Sequence, residues 1–184
     1  MKTVTNQLNE GIKIETNRRN FVGQAAGLGI GLLVANASIN PAIAAEGASI
    51  GRQWVELFNT GDWDGLRNLL VENVVYIEMG TSRRIEGVDP YLASGKAWRA
   101  AFPDLKGEIK TEMVNGDLGV MEIVWVGTHS GPLLMPDGKT VPPTGKKIAV
   151  PATAWTVARG KKAIESRHYL DVLSLLAQLG LLPG

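Results

Sequence analysis

Residues 106–129 read KGEIKTEMVNGDLGVMEIVWVGTH, in which two long alternations of apolar and polar residues flank Asn115-Gly116-Asp117. Alternation with a period of two is typical of β-strands that are buried on one face, and an Asn-Gly-Asp connection is typical of a hairpin turn. The pattern predicts paired antiparallel strands over residues 106–114 and 119–129. The second half of the chain is therefore expected to be built on an antiparallel sheet.

Two further strands are expected after this hairpin, and helices are expected before it. A Pro/Gly-rich stretch at 131–145 and the turn at Arg159-Gly160 separate the later strands, as loop composition requires. The helix candidates are 50–59, 63–70 and 88–102, and the remaining strand candidates are 74–79, 83–87, 146–158 and 163–172. Helices first and a run of strands afterwards predict the α+β class, with a curved antiparallel or mixed sheet wrapped around the helices.

The composition favours one soluble domain preceded by a leader. The chain has 184 residues, of which 45% are hydrophobic and 20% charged. From Glu46 onward, 15 Lys and Arg stand against 16 Asp and Glu, so we expect no nucleic-acid partner. The absence of cysteine excludes disulfides, thiolate nucleophiles and cysteine-ligated metal centres.

Residues 1–45 are expected to be a signal peptide of the twin-arginine type. Arg18-Arg19 precede an apolar run at 23–35, and Ala42-Ile43-Ala44 supplies the small residues that a signal peptidase requires. The alternative is an amphipathic or membrane-anchoring helix with a chance arginine pair. The order of charge, apolar run and cleavage site favours export to the periplasm or another extracytoplasmic space, with no stable membrane span after cleavage.

Five short segments resemble, in order and spacing, the SnoaL-like polyketide cyclase (ester cyclase) family. They are FNTGD at 58–62, FPDL at 102–105, GTHSG at 127–131, PPTGK at 142–146, and the final segment 171–183 with QLG at 178–180. The resemblance implies that residues 46–184 form the cone-shaped α+β barrel of the nuclear transport factor two-like superfamily. Each segment can also be explained by structure alone, because its residues are typical of a helix cap, a turn or the end of a helix.

The same resemblance implies chemistry without a cofactor or a metal, namely ring closure of a polyketide ester by intramolecular aldol condensation. A carbon between two carbonyl groups is acidic enough for one positioned base, an enclosed apolar cavity and a donor to the enolate oxygen to suffice. The expected ligand is a small apolar or polyketide-like molecule. A homodimer through the exposed sheet face is usual in the resembling families.

His168 is the leading catalytic candidate. It stands where the aromatic polyketide cyclases resemble one another in carrying a catalytic aspartate, and Ala154 stands where they carry a supporting histidine. The aspartate–histidine pair is therefore absent. His168 either acts alone as general base, with Asp171 as an orienting carboxylate, or satisfies a polar position on the last strand.

Five further residues are candidate ligand contacts. Tyr76 and Glu78 share one face of the first strand, and burial would raise the pKa of a carboxyl there. Trp125 and Trp155 form either an aromatic wall or part of the core. His129 lies at the end of a strand and either rims the cavity or bonds a turn.

Two functions follow from these residues. The first is a cofactor-free cyclase, lyase or isomerase that uses acid–base chemistry in an apolar pocket. The second is a non-catalytic, exported ligand-binding or assembly module, because one fold hosts many unrelated functions. Export favours either a substrate that is met outside the cytoplasm or a binding role.

Overall fold

The computed structural model describes residues 46–135 and 138–182, so the predicted leader at 1–45 lies outside the described residues. The described elements are helices α1 (Glu46–Thr60), α2 (Trp63–Asn68), α3 (Val88–Ala101) and α4 (Val172–Leu179), and strands β1 (Leu70–Glu78), β2 (Arg83–Glu86), β3 (Lys106–Asn115), β4 (Leu118–Thr128), β5 (Leu133–Leu134), β6 (Thr140–Val141), β7 (Lys147–Arg159) and β8 (Lys162–Leu170).

Six strands form one curved sheet that does not close, in the order β2-β1-β8-β7-β4-β3. Neighbours are antiparallel except β1 and β8, which run parallel. The short strands β5 and β6 pair separately. The predicted α+β class with helices on a curved mixed sheet is confirmed.

The predicted hairpin of β3 and β4 is present. Asn115 pairs with Leu118, and Gly116 adopts a φ of 58° in the turn between them. Glycine suits that turn because a left-handed backbone costs it no side-chain clash. The register places Gly107 opposite Trp125, whose indole packs edge to face against Phe58 of α1 on the inner face of the sheet.

The core lies between the inner face of the sheet and the helices. Along β7 buried and less buried residues alternate, and the buried ones include Ile148, Val150, Ala152 and Ala154. This alternation is the period-two pattern of a strand with one covered face. Phe58 from α1 and Phe102 after α3 are both fully or almost fully buried between the helices and the inner face of the sheet.

Two of the resemblance motifs fasten the helices to the sheet. The Asn59 side chain donates to the carbonyl of Gly107 over 2.9 Å and accepts from its N–H over 2.8 Å. The Asp104 carboxylate accepts from the N–H of Thr128 at 2.6 Å and from its hydroxyl at 2.8 Å. Because each side chain closes two hydrogen bonds, these residues fix the ends of α1 and α3 against β3 and β4.

The last helix, α4, was not predicted from the sequence. Asp171 caps its N-terminus by accepting from the N–H of Ser174 over 2.9 Å, and Gly180 ends it in the left-handed region at φ 71°. Gln178 holds it to β7, accepting from the N–H of Ala149 and donating to the same residue's carbonyl. Within residues 46–135 and 138–182, no helix combines the length and apolar character needed to cross a membrane.

Candidate functional site

A cavity lies between α1, α3 and the inner face of the sheet, and its wall combines aliphatic and aromatic side chains. Trp54 stacks on Phe58 with ring centroids 5.3 Å apart and on Tyr91 with centroids 6.0 Å apart. The other aromatic lining residues are Tyr76, Trp98 and Trp125. No Asp, Glu, Lys or Arg is among the described lining residues. The cavity therefore suits a flat, largely apolar molecule without charge.

His168 lies in the wall of this cavity with both ring nitrogens facing protein groups. The indole Nε1 of Trp125 donates to Nε2 over 3.0 Å, and Nδ1 lies 3.4 Å from the hydroxyl oxygen of Tyr76. A neutral imidazole has one acceptor nitrogen, so these contacts assign the ring proton to Nδ1. His168 then donates towards Tyr76, whose own hydroxyl proton remains available.

Burial keeps the side chains of His168, Tyr76 and Tyr91 uncharged at neutral pH. Desolvation lowers the pKa of His168 to about 4, and the nearby Glu78 carboxylate only partly opposes that shift. Desolvation also raises the pKa of Tyr76 well above its usual value, with a further contribution from Glu78. The pKa of Tyr91 is raised by burial as well, although its hydrogen bond with Ser166 acts the other way. The two tyrosines are therefore protonated donors at neutral pH.

Cross-strand pairing brings together positions 154 and 168, at which the sequence resemblance implied an aspartate–histidine pair. Ala154 on β7 lies directly opposite His168 on β8, and both line the cavity. The small side chain of Ala154 leaves the ring of His168 without a polar partner from β7. The polar partner comes from β4 instead, in the form of the Trp125 indole.

The structure does not bring Asp171 to His168. The carboxylate of Asp171 accepts from the N–H and hydroxyl of Ser174, and these bonds lower its pKa. Strand β8 ends at Leu170, so the chain turns into α4 and carries Asp171 with it. Its role in the structure is that of a helix cap, not of an orienting carboxylate.

Glu78 is buried but does not line the cavity. Its carboxylate accepts from the hydroxyl of Thr81 at 2.7 Å and forms an ion pair with Arg83 at 3.1 Å. Arg83 also donates to Ser94 over 2.6 Å. Glu78 therefore acts on the site through its charge near His168, with its oxygens already occupied.

His129 and Trp155 also lie away from the cavity wall. His129 is fully buried, with Nδ1 accepting from the N–H of Thr144 and its ring packed against Phe102 at 5.1 Å. This arrangement is the turn-bonding role that the sequence left open. Trp155 alternates along β7 with Ala154, which does line the cavity, so its side chain points to the other face of the sheet.

Several cavity residues were not singled out as ligand contacts from the sequence. Trp54 and Tyr91 are on helices, and their helical spacing indicated core positions. Ser166 was assigned to a strand without a role in ligand binding. Same-face spacing identifies such residues as buried, but it does not tell a filled core from a cavity wall. The described residues contain no cluster of three or more His, Asp or Glu that could hold a metal ion.

An open curved sheet around a cavity places the domain in an α+β class with many solved members. It is similar to a candidate SnoaL-like polyketide cyclase from Jannaschia sp. CCS1, with 22% identity, TM-score 0.67, and coverage of 77% of this chain and 96% of that one. It is also similar to IdmH, a candidate polyketide cyclase from Streptomyces antibioticus, with 25% identity, TM-score 0.62, and coverage of 73% and 99%. A candidate polyketide cyclase from Bacillus cereus has 23% identity, TM-score 0.63, and coverage of 79% and 88%.

The chain belongs to the SnoaL-like polyketide cyclase family, whose profile matches residues 48–179. No curated protein sequence matches the chain.

Proposed function

We propose that the domain binds a small, uncharged, largely apolar molecule and transforms it without a cofactor, by acid–base chemistry of the cyclase, lyase or isomerase type. The observation that carries the proposal is the position of His168, an imidazole in a cavity wall that is otherwise mostly apolar and has no Asp, Glu, Lys or Arg among its described lining residues. Family membership supports the same class of reaction.

The chemistry we propose is the removal of a proton from an activated carbon. Nε2 of His168 accepts that proton once the ligand has displaced the indole of Trp125 from it. The hydroxyls of Tyr76 and Tyr91 supply donors for the oxygen on which negative charge develops. Because the pKa of His168 is about 4, the ring is a weak base. The substrate must therefore carry an acidic C–H, such as a carbon between two carbonyl groups.

A specific observation favours the rival function of a non-catalytic binding module. Both nitrogens of His168 already face protein groups, Trp125 and Tyr76, and the lone pair of Nε2 is in use. An imidazole held in this way can serve as a fixed part of a binding wall. The two functions therefore differ in whether a bound carbon acid loses a proton.

Deuterium exchange at the activated carbon of ethyl benzoylacetate distinguishes the catalytic function from the binding module, and it requires no knowledge of the natural substrate. At pH 6 in D2O, the wild-type protein is expected to accelerate exchange of the CH2 between the two carbonyl groups. His168→Asn should lower the protein-dependent rate by roughly 10²–10⁴-fold, the usual effect of a positioned acid–base group. Trp155→Phe, a change outside the cavity, is the matched control and should leave the rate unchanged. Binding without accelerated exchange would establish the binding module instead.

We also propose that the domain acts after export, on the strength of the arginine pair and the cleavage pattern in residues 1–45. The exported form is expected to begin at Ala45 or Glu46, and replacement of Arg18 and Arg19 by lysine should block its export. Sequencing of the N-terminus of the extracytoplasmic form tests this. An intact Met1 in that fraction, or unchanged export of the double variant, would contradict the proposal.

A further inference from the structure

The hydroxyl of Thr156 is an unpaired polar group in the wall of the cavity. Thr156 is only 6% exposed, and its hydroxyl has no hydrogen-bond partner among residues 46–135 and 138–182. It is nevertheless not one of the unpaired side-chain atoms of this region that are closed to water. The hydroxyl oxygen is therefore open to a small molecule, and it can both donate a hydrogen bond and accept one.

This hydroxyl points from β7 towards α1, across the inner face of the sheet. A Cβ added to Gly51 of α1 would lie 3.4 Å from Oγ1 of Thr156 and 2.8 Å from Cε of Met121. Gly51, Met121 and Thr156 all line the cavity. Because Gly51 has no side chain, α1 leaves the hydroxyl uncovered on the side that faces the cavity.

The position of Thr156 relative to His168 follows from the pairing of β7 with β8. Ala154 lies opposite His168, and Thr156, two residues further along β7, lies opposite Ser166. The hydroxyl of Ser166 already has that of Tyr91 as a partner. Two residues of a strand span about 7 Å, so the unpaired hydroxyl of Thr156 belongs to a second polar point of the wall at about that distance from His168.

We propose that Thr156 is a specificity-determining residue whose hydroxyl forms a hydrogen bond with a second, uncharged oxygen of the ligand. This role rests on the proposed function, which places the activated carbon beside His168. The ligand is then an elongated molecule with an uncharged hydroxyl or carbonyl oxygen about 7 Å from that carbon. A charged group at this point would be unfavourable, because no Asp, Glu, Lys or Arg is among the described lining residues to offset its desolvation.

The test uses two derivatives of ethyl benzoylacetate that carry either a hydroxyl or a methyl group at the para position of the ring. That position lies at about the spacing of two strand residues from the activated carbon. At pH 6, where the phenol is uncharged, the dissociation constant of each compound is measured with the wild-type protein and with Thr156→Val, which lacks the hydroxyl. The ratio of the methyl constant to the hydroxyl constant should fall at least about fivefold in the variant, the effect of one hydrogen bond. Comparing ratios cancels the difference in hydrophobicity between the two compounds.

Thr153→Val is the matched control, because Thr153 lies on the same strand but lines a depression on the other face of the sheet. Its ratio should stay within about twofold of the wild-type value. Thr156→Ser keeps a hydroxyl and should stay within about threefold. If Thr156→Val does not fold, Thr156→Ala replaces it with the same expected fall. A ratio that is unchanged without the Thr156 hydroxyl, or one that falls equally in Thr153→Val, would overturn the inference.

These measurements also separate the role of Thr156 from the proposed function, because dissociation constants require no turnover. A fall in the ratio without any deuterium exchange would support the role of Thr156 and defeat only the enzymatic function. Accelerated exchange with an unchanged ratio would defeat only the role of Thr156. If neither para-substituted compound binds to the wild-type protein, the ligand class inferred from Thr156 is wrong.

Discussion

The indole N–H of Trp125 donates to Nε2 of His168 over 3.0 Å, so a tryptophan of β4 fixes the tautomer of a histidine of β8. The proton on Nδ1 then points to Tyr76, 3.4 Å away on β1. Hydrogen bonds in series polarise one another, so the hydroxyl of Tyr76 becomes a better donor to a ligand. The indole of Trp125 therefore strengthens the hydroxyl of Tyr76 as a donor and, at the same time, occupies the lone pair on Nε2 of His168.

We expect ¹⁵N NMR of the wild-type protein to find His168 neutral, with the proton on Nδ1, between pH 6 and 8. In Trp125→Phe the donor to Nε2 is lost, so a measurable fraction of rings should carry the proton on Nε2 instead. A wild-type ring that already carries its proton on Nε2 would contradict the hydrogen-bond assignment. His129 provides an internal reference, because its Nδ1 accepts from Thr144 and not from an indole.

The free energy of unfolding should fall as the solution is acidified from about pH 6.5 towards pH 4. The pKa of His168 is about 4 in the folded chain against 6.5 ordinarily, so the unfolded state binds more protons in that interval. Between pH 7 and 4.5 this linkage amounts to about 2 kcal/mol. Burial lowers the pKa of His129 too, so part of the slope belongs to that residue.

Urea unfolding of the wild-type protein and of His168→Gln at pH 7 and at pH 4.5 separates the contribution of His168 to this pH dependence from that of His129. The variant should lose about 2 kcal/mol less than the wild-type protein on acidification. Equal losses would mean that His168 titrates normally in the folded state.

The sequence predicted the hairpin and three helices because their signals are local. The turn at Gly116 and the alternation on either side of it identify β3 and β4 without reference to the rest of the chain. Helix α4 was missed because Val172 was assigned to the preceding strand. Its cap signals were present, since Asp171 precedes it and Gly180 follows it.

The candidate site was harder to predict because it depends on contacts between distant strands. Period-two alternation indicates that Trp155 and Ala154 point to opposite faces of β7. Because both faces of that strand are largely apolar, the sequence did not show which face is covered. Asp171 lies three positions after His168 and is still separated from it by the end of β8. The parallel pairing that brings Tyr76 to His168 joins residues 92 positions apart, which no local pattern encodes.

Asn59→Ala should destabilise the domain by about 1–3 kcal/mol. The substitution removes both hydrogen bonds between the Asn59 side chain and the backbone of Gly107, which join α1 to β3. Thr60→Ala is a suitable control, because the Thr60 hydroxyl is exposed and bonds only carbonyls of its own helix. Its effect should stay within about 0.5 kcal/mol. Equal losses for the two variants in urea unfolding would show that the Asn59 contact does not stabilise the fold.

Phe102→Ala should cost about 3–5 kcal/mol of the free energy of unfolding, because the ring is fully buried and its removal leaves a cavity. The ring lies between Trp98, at a centroid distance of 6.0 Å, and His129 at 5.1 Å, so it joins the end of α3 to the end of β4. Leu173→Ala is the control, since that side chain is 67% exposed and its truncation should cost less than about 1 kcal/mol. Denaturant unfolding of the two variants measures both values. A loss below about 1 kcal/mol for Phe102→Ala would mean that α3 does not pack on the sheet through this ring, and the position of Trp98 in the cavity wall would then need another support.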